Sequence, residues 1–181
     1  MCYIDRRTEK KEMRVRGGSF MEHEEWKDIY EIFYKPMLLY ALSLTKNMHD
    51  AEDLIQETFI KAFLSYERTG NLKYWLVTVL KHEYYNLYRK RKREILSEEI
   101  LIIEDKQEDD LDKLIRNEER RLLFQEIQKL PIREKEILME SIYFHLSDSE
   151  IAGMHKISND NVRKIRSRAK QKLMKRLEGE S

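Results

Sequence analysis

The chain has 181 residues, of which 38% are charged and 41% hydrophobic, with 5 Gly, 2 Pro and 1 Cys. So few turn-formers and so many charges disfavour a sheet sandwich and favour small helical cores with solvated faces. The lone Cys2 excludes an internal disulfide and a Cys-based zinc centre, and no apolar run reaches the roughly 18 residues of a membrane span. The net charge of +1 hides a sorted order. Lys81 with Arg89-Lys90-Arg91-Lys92-Arg93 is basic, residues 98–112 are acidic, and Arg163, Lys164, Arg166, Arg168, Lys170, Lys172, Lys175 and Arg176 are basic again. Two basic blocks suit phosphates, and the acidic stretch between them would be repelled by DNA.

In chain order, residues 1–20 mix charges without apolar periodicity or a signal-peptide core, the pattern of a disordered leader on a cytoplasmic protein. Trp26, Ile29, Tyr30 and Phe33 predict an amphipathic helix that Pro36 ends or restarts. Met37, Leu38, Leu39, Ala41, Leu42 and Leu44 make a second, broader apolar helix. Asn47 caps the next, with Asp50 near its positive end. There Leu54, Ile55, Phe59, Ala62 and Phe63 return at helical intervals, while Asp53, Gln56, Glu57 and Lys61 fall on the opposite face. After the polar connector Tyr66-Glu67-Arg68-Thr69-Gly70-Asn71, a further stripe of Leu72, Trp75, Leu76, Val79, Leu80 and Leu87 runs into the first basic block, with Tyr74, Tyr84, Tyr85 and Tyr88 adding rings. These helices pack as one bundle over residues 21–93.

Residues 94–113 carry too little apolar surface to offset their ordering entropy and read as a linker. A second unit spans residues 114–178. Leu122, Leu123, Ile127 and Leu130 supply one stripe, and Pro131 starts another helix through Ile137, Leu138, Ile142 and Tyr143. Ser147-Asp148-Ser149-Glu150 is a capping box opening a short helix that contains Ala152 and ends near His155-Lys156. Ser158 caps a last helix with Val162, Ile165, Ala169, Leu173 and Leu177 inward. Helix, short turn and helix with a small residue at the close contact is the helix-turn-helix pattern. A non-Gly residue at Lys156, if it takes positive φ, costs on the order of 1 kcal/mol.

Asp50-Ala51-Glu52-Asp53-Leu54-Ile55-Gln56-Glu57-Thr58-Phe59 closely resembles the core-binding signature in region 2 of bacterial sigma factors of the compact extracytoplasmic-function (ECF) group. Tyr74-Trp75-Leu76-Val77-Thr78-Val79 resembles the promoter-melting segment that follows it. The order around Leu130-Pro131, Arg133-Glu134 and the helix-turn-helix resembles region 4. The resemblance implies an all-α protein of two small helical domains joined by an acidic linker. Its partners would be core RNA polymerase, through the β′ clamp helices and β flap, and promoter DNA; members of the group are often held by an anti-sigma factor, and the sequence does not say whether this chain is.

Asp53, Gln56 and Glu57, on physical grounds a solvated face, become the polymerase-binding surface through the resemblance. The connector is by itself a helix–helix turn. Read as the loop that captures a flipped −10 base, it offers Tyr66, Arg68 and Asn71, followed by Lys73 and Tyr74, since aromatic faces hold unstacked bases. Lys81, Tyr85 and Arg89 extend that −10 set along the next helix. Glu67, His82 and Asn86 depart from the family pattern.

In a helix-turn-helix the second helix presents its N-terminal side chains to the major groove, which places Asn159, Asp160, Arg163, Lys164 and Ser167 outward. The −35 set is Ser158, Asn159, Asn161, Arg163, Lys164, Arg166, Ser167 and Arg168, with Arg166, Arg168, Lys170 and Lys172 placed for phosphates. The five histidines, His23, His49, His82, His145 and His155, show no paired metal-ligand spacing. No phosphate-cradling Gly loop or nucleophile motif occurs, so neither enzyme activity nor a cofactor is expected. The other reading is a helix-turn-helix regulator with a helical sensor or dimerisation domain, binding DNA without polymerase.

Overall fold

The computed structural model describes residues 23–66, 70–95, 114–115 and 117–179. The proposed leader, nearly all of the proposed linker, and Arg68 with its neighbours Glu67 and Thr69 lie outside the described residues. All regular structure among the described residues is helical: α1 (His23–Thr45), α2 (Met48–Ser65), α3 (Leu72–Ile95), α4 (Glu118–Gln128), α5 (Ile132–Tyr143), α6 (Asp148–His155) and α7 (Asn159–Leu177). Helices α1, α2 and α3 pack on one another, α4, α5 and α6 pack on α7, and α1 touches α5.

Helix α1 corrects the expectation at Pro36, because one helix runs through it. Proline cannot donate to the Ile32 carbonyl. Ile32 is largely exposed, so water can satisfy that acceptor and the interruption is tolerated. Every residue from 37 to 44 is buried. A helix apolar all round must be covered all round, and here α2, α3 and α5 do so. The chain then reverses at Lys46, whose φ of 55° is left-handed. The Asn47 side chain caps α2 by accepting from the Asp50 amide (2.9 Å).

Helix α2 buries Leu54, Ile55, Phe59 and Ala62 as its spacing predicts, and adds Ala51 and Thr58. Phe63 is partly exposed and meets the Trp26 ring edge-on at 5.7 Å. In the second unit three expectations shift. Leu122, Ile142 and Leu177 are exposed, and Phe124 is buried in the α4 stripe instead. The period was right but its phase was displaced, and Leu177 lies in the final turn of α7.

The capping box forms as expected, with Ser147 Oγ accepting from the Glu150 amide and Glu150 Oε2 accepting from the Ser147 amide (2.8 Å). Lys156 takes φ 53°. Its amide and that of Ile157 donate back to the carbonyls of Gly153 and Ala152, which satisfies the last acceptors of α6. The turn is thus built without glycine.

Candidate nucleic-acid interface

Because the apolar stripe of α2 is spent on the core, its opposite face is left to solvent, and Asp53, Gln56 and Glu57 are all exposed there. Lys61 lies between Glu57 (3.3 Å) and Glu83 of α3 (2.8 Å), and His49 lies 3.1 Å from Asp53. Asp50 accepts both Nη atoms of Arg91 (2.5 and 2.6 Å). One arginine of the basic run therefore joins the start of α2 to the end of α3.

In the described part of the connector, Tyr66 donates to the Gly70 carbonyl (2.7 Å) and packs edge-on against Trp75 at 5.5 Å. Asn71 Oδ1 accepts from the amides of Lys73 and Tyr74 (3.0 and 3.4 Å), and so caps α3. Its amide group donates to Glu150 of α6 (2.5 Å). Lys73 is exposed and Tyr74 half-buried. Arg89 is exposed and donates to Asn86 Oδ1 (2.9 Å).

Helix α7 starts on the Ser158 hydroxyl, which accepts from the Asn161 amide (3.2 Å). Burying Val162, Ala169 and Leu173 turns Asn159, Asp160, Asn161, Arg163, Lys164, Ser167 and Arg168 to solvent. Arg163 pairs with Asp160 on the same face (2.9 Å). Two cations assigned to phosphates also have partners within the chain: Arg166 contacts Asp148 (2.5 Å) and Ser141 (3.4 Å), and Lys172 contacts Glu134 (2.7 Å). Arg168 and Lys170 are exposed with no ion-pair partner among the described residues.

Between the two units lies a buried polar network. Glu140 of α5, fully buried, accepts from the Tyr40 hydroxyl (2.8 Å) and from Lys81 Nζ (2.9 Å). Its other oxygen lies 2.8 Å from His155 Nε2. That nitrogen is also 3.1 Å from Lys81 Nζ; with its proton directed at Glu140 it has no lone pair for the lysine, and the two donors are held together by the carboxylate they share. Tyr85 donates to Glu136 (2.9 Å), which lies 3.7 Å from Lys81. Burial raises the Glu140 carboxyl, but hydrogen bonding by His155 and the Lys81 charge outweigh it and hold the group below the usual carboxylate range. Burial, then the charges of Glu140 and Glu136, push the Tyr40 phenol well above its ordinary value. Tyr40 also meets Phe144 edge-on at 5.7 Å.

Residues 29–94 match the family model for Sigma-70 region 2, and residues 120–173 match that for Sigma-70, region 4. This chain belongs to the sigma-70 family. It resembles the ECF RNA polymerase sigma factor SigM of Bacillus subtilis (strain 168), at 30% identity over 149 residues, 81% of this chain and 91% of SigM. It also resembles the RNA polymerase sigma factor YlaC of the same strain, at 29% over 167 residues, 87% of this chain and 95% of YlaC. Its fold is like that of the sigma factor RpoE from Bartonella quintana, solved with the anti-sigma factor NepR (TM-score 0.68, 24% identity, 86% of this chain and 98% of that one). It is also like that of CnrH, solved with the cytosolic domain of CnrY (TM-score 0.61, 18% identity, 88% and 92%).

This ECF sigma factor acts with RNA polymerase in promoter-specific initiation of transcription. The regulator acting without polymerase is not favoured, since region 2 has no place in it. No described helix is long and apolar enough to cross a membrane. Sequence reasoning missed Tyr40, Glu136, Glu140 and His155 as a group. Each reads locally as an ordinary helix residue, and the only available signal was a glutamate at a position that the burial of Ile137 and Leu138 turns partly inward.

Proposed function

We propose that Asp53, Gln56 and Glu57 dock on the β′ clamp helices, that the connector and α3 engage the −10 element through the set given above, and that α7 reads the −35 element while region 4 meets the β flap. Arg163 and Lys164 suit guanine and Asn159 and Asn161 suit adenine; Arg168 and Lys170 suit phosphates. The observation that carries this reading is the sorting of exposed charge. The region 2 segment offers an acidic face on α2, and the region 4 segment offers a cationic face on α7 free of acids from residue 162 to residue 177. An anti-sigma partner is supported by the structural neighbours, both solved with an anti-sigma factor or the cytosolic domain of a partner.

The contacts between regions 2 and 4 bear on this reading, because Lys81 and Tyr85 are engaged by Glu140 and Glu136. The −35 and −10 elements lie about 25 base pairs apart, about 85 Å at about 3.4 Å per pair. A folded chain of this size measures about 40 Å across. Regions 2 and 4 must therefore part before both elements are bound, which frees Lys81 and Tyr85. The test is run-off transcription with purified core polymerase. Glu57→Lys reverses an exposed charge and is expected to abolish co-purification with core while leaving helicity unchanged. Undiminished co-purification would remove this face from the interface.

A further inference from the structure

A cavity of about 440 Å³ opens in the seam between regions 2 and 4, bordering the Glu140 network at Tyr85. Its polar lining consists of Lys46, Lys135 and Gln128, and its aromatic lining of Tyr84, Tyr85 and Tyr88. Lys135 is only 3% exposed, and its ammonium makes one hydrogen bond, to Gln128 Oε1 at 3.3 Å. With that oxygen turned to the lysine, Gln128 Nε2 is buried without an acceptor among the described residues. Lys46, exposed at the α1–α2 corner, adds a second positive charge that acts on Lys135. Among the described residues neither lysine has a carboxylate ion-pair partner, since Glu136 is taken by Tyr85 and Lys81.

Among the described residues, three donors thus meet in a partly enclosed space with no anion hydrogen-bonded or ion-paired to them, and Glu136 acts on Lys135 through its charge alone. Buried ammonium groups are normally paired and buried amides bonded. Water can accept from an amide but cannot neutralise two ammonium charges, whereas a phosphate dianion does both. The volume exceeds that of a bare phosphate and falls within the range of small-molecule sites. Tyr85 and Tyr88 are 40% and 55% exposed, which leaves aromatic surface for a planar ring.

We propose that this seam binds a phosphorylated ligand with a planar ring, of nucleoside monophosphate size, its phosphate held by Lys46, Lys135 and Gln128 and its ring lying on the tyrosines. Because α1 and α3 supply one wall and α4 and α5 the other, the ligand holds regions 2 and 4 together. The site stands on its own geometry, and only the effect on initiation rests on the proposed −10 and −35 assignments.

The same phosphate and ring chemistry occurs in a free nucleotide and in a DNA strand, so the test has both arms. Titration calorimetry of the full chain in phosphate-free buffer, with adenosine 5′-monophosphate, adenosine and inorganic phosphate, is expected to show saturable binding of the monophosphate. Adenosine should bind at least about tenfold more weakly, as should the monophosphate to Lys46→Gln and Lys135→Gln. The exposed control Lys175→Gln should bind as the parent does. Ligand should also raise the melting temperature of the parent chain. If Lys135→Gln fails to fold, Lys46→Gln decides, because that side chain is exposed. Absence of monophosphate binding at millimolar concentration overturns the proposal, as does undiminished affinity in Lys46→Gln. So does Lys135-dependent binding of a single-stranded oligodeoxynucleotide alone, which would make the seam part of the DNA path.

Discussion

On α7 the cations Arg163, Lys164, Arg168 and Lys170 stand exposed, whereas on α3 Lys81 is 8% exposed and Tyr85 donates to a carboxylate of region 4. The −10 set on α3 follows from the resemblance to region 2 and the −35 set on α7 from the helix-turn-helix pattern, and both consist of cationic and hydrogen-bonding side chains. What separates them is the neighbour: α7 shows its outer face to solvent, while on α3 Lys81 meets Glu140 of α5 and His155 of α6, and Tyr85 meets Glu136 of α5. Residue type therefore states what a face can bind, and the packing partner states whether it is available. In region 2 the face is occupied by glutamates, the groups that most resemble phosphates in charge.

The sharpest way to break this contrast is Glu140→Ala. It removes the carboxylate to which Lys81 and His155 are hydrogen-bonded and leaves them only Glu136, at 3.7 and 4.0 Å, at a cost of up to about 3–5 kcal/mol if the regions stay together. Separation would relieve that cost. The radius of gyration from solution scattering is expected to rise while helicity persists, and Arg163→Ala should leave the radius unchanged. A Glu140→Ala chain as compact and as stable as its parent would mean the network does not hold the regions.

A second effect appears in alkaline solution. Burial and then the Lys46 charge push the Lys135 amine from 10.5 down to about 8. Between those values the unfolded chain binds the extra proton, so stability rises with pH from about 8 to about 10, by at most about 1.4 kcal/mol per pH unit. Above pH 10 the sign reverses, because Tyr40 and Tyr85, raised first by burial and then by nearby glutamates, keep protons that the unfolded chain releases. Urea titrations across this range should show the rise, and Lys135→Met should flatten it. A rise that survives the substitution would place the titrating group elsewhere.

On the exposed side of the contrast, Arg163→Ala is expected to weaken binding to the −35 element by about 1–3 kcal/mol if it reads a base. An equal loss on scrambled DNA would make it a phosphate contact. The smallest effect lies in the turn between α6 and α7. Lys156→Gly removes a side chain from a left-handed position and should add up to about 1 kcal/mol to thermal stability without moving α7. A lower melting temperature would show that Lys156 makes a compensating contact.

The helix pattern was largely legible because it rests on relations three or four residues apart. Asn47, Ser147 and Ser158 cap the helices they were expected to cap, and the stripes of α2 and α7 are buried at Leu54, Ile55, Phe59, Ala62, Val162, Ala169 and Leu173. Errors arose where the partner rather than the period decides. Leu122 and Phe124 differ by two positions, and only the surface met by α4 selects between them. Pro36 reads as a break because its missing hydrogen bond is local, whereas the burial that carries α1 through it is not. Arg166 and Lys172 carry the right charge for phosphates, and only folding brings Asp148 and Glu134 to them as further partners.

The sequence by itself determined most of the helices, the caps at Asn47, Ser147 and Ser158, the order of base, acid and base, and the resemblance to regions 2 and 4. Tertiary structure alone decided that Tyr40 and Lys81 meet Glu140 across separations of 100 and 59 residues, and that Lys46 and Lys135 face one cavity. Nothing local encodes such meetings. A side chain's reach is a few ångströms, and which distant group falls within it is set by how whole helices pack.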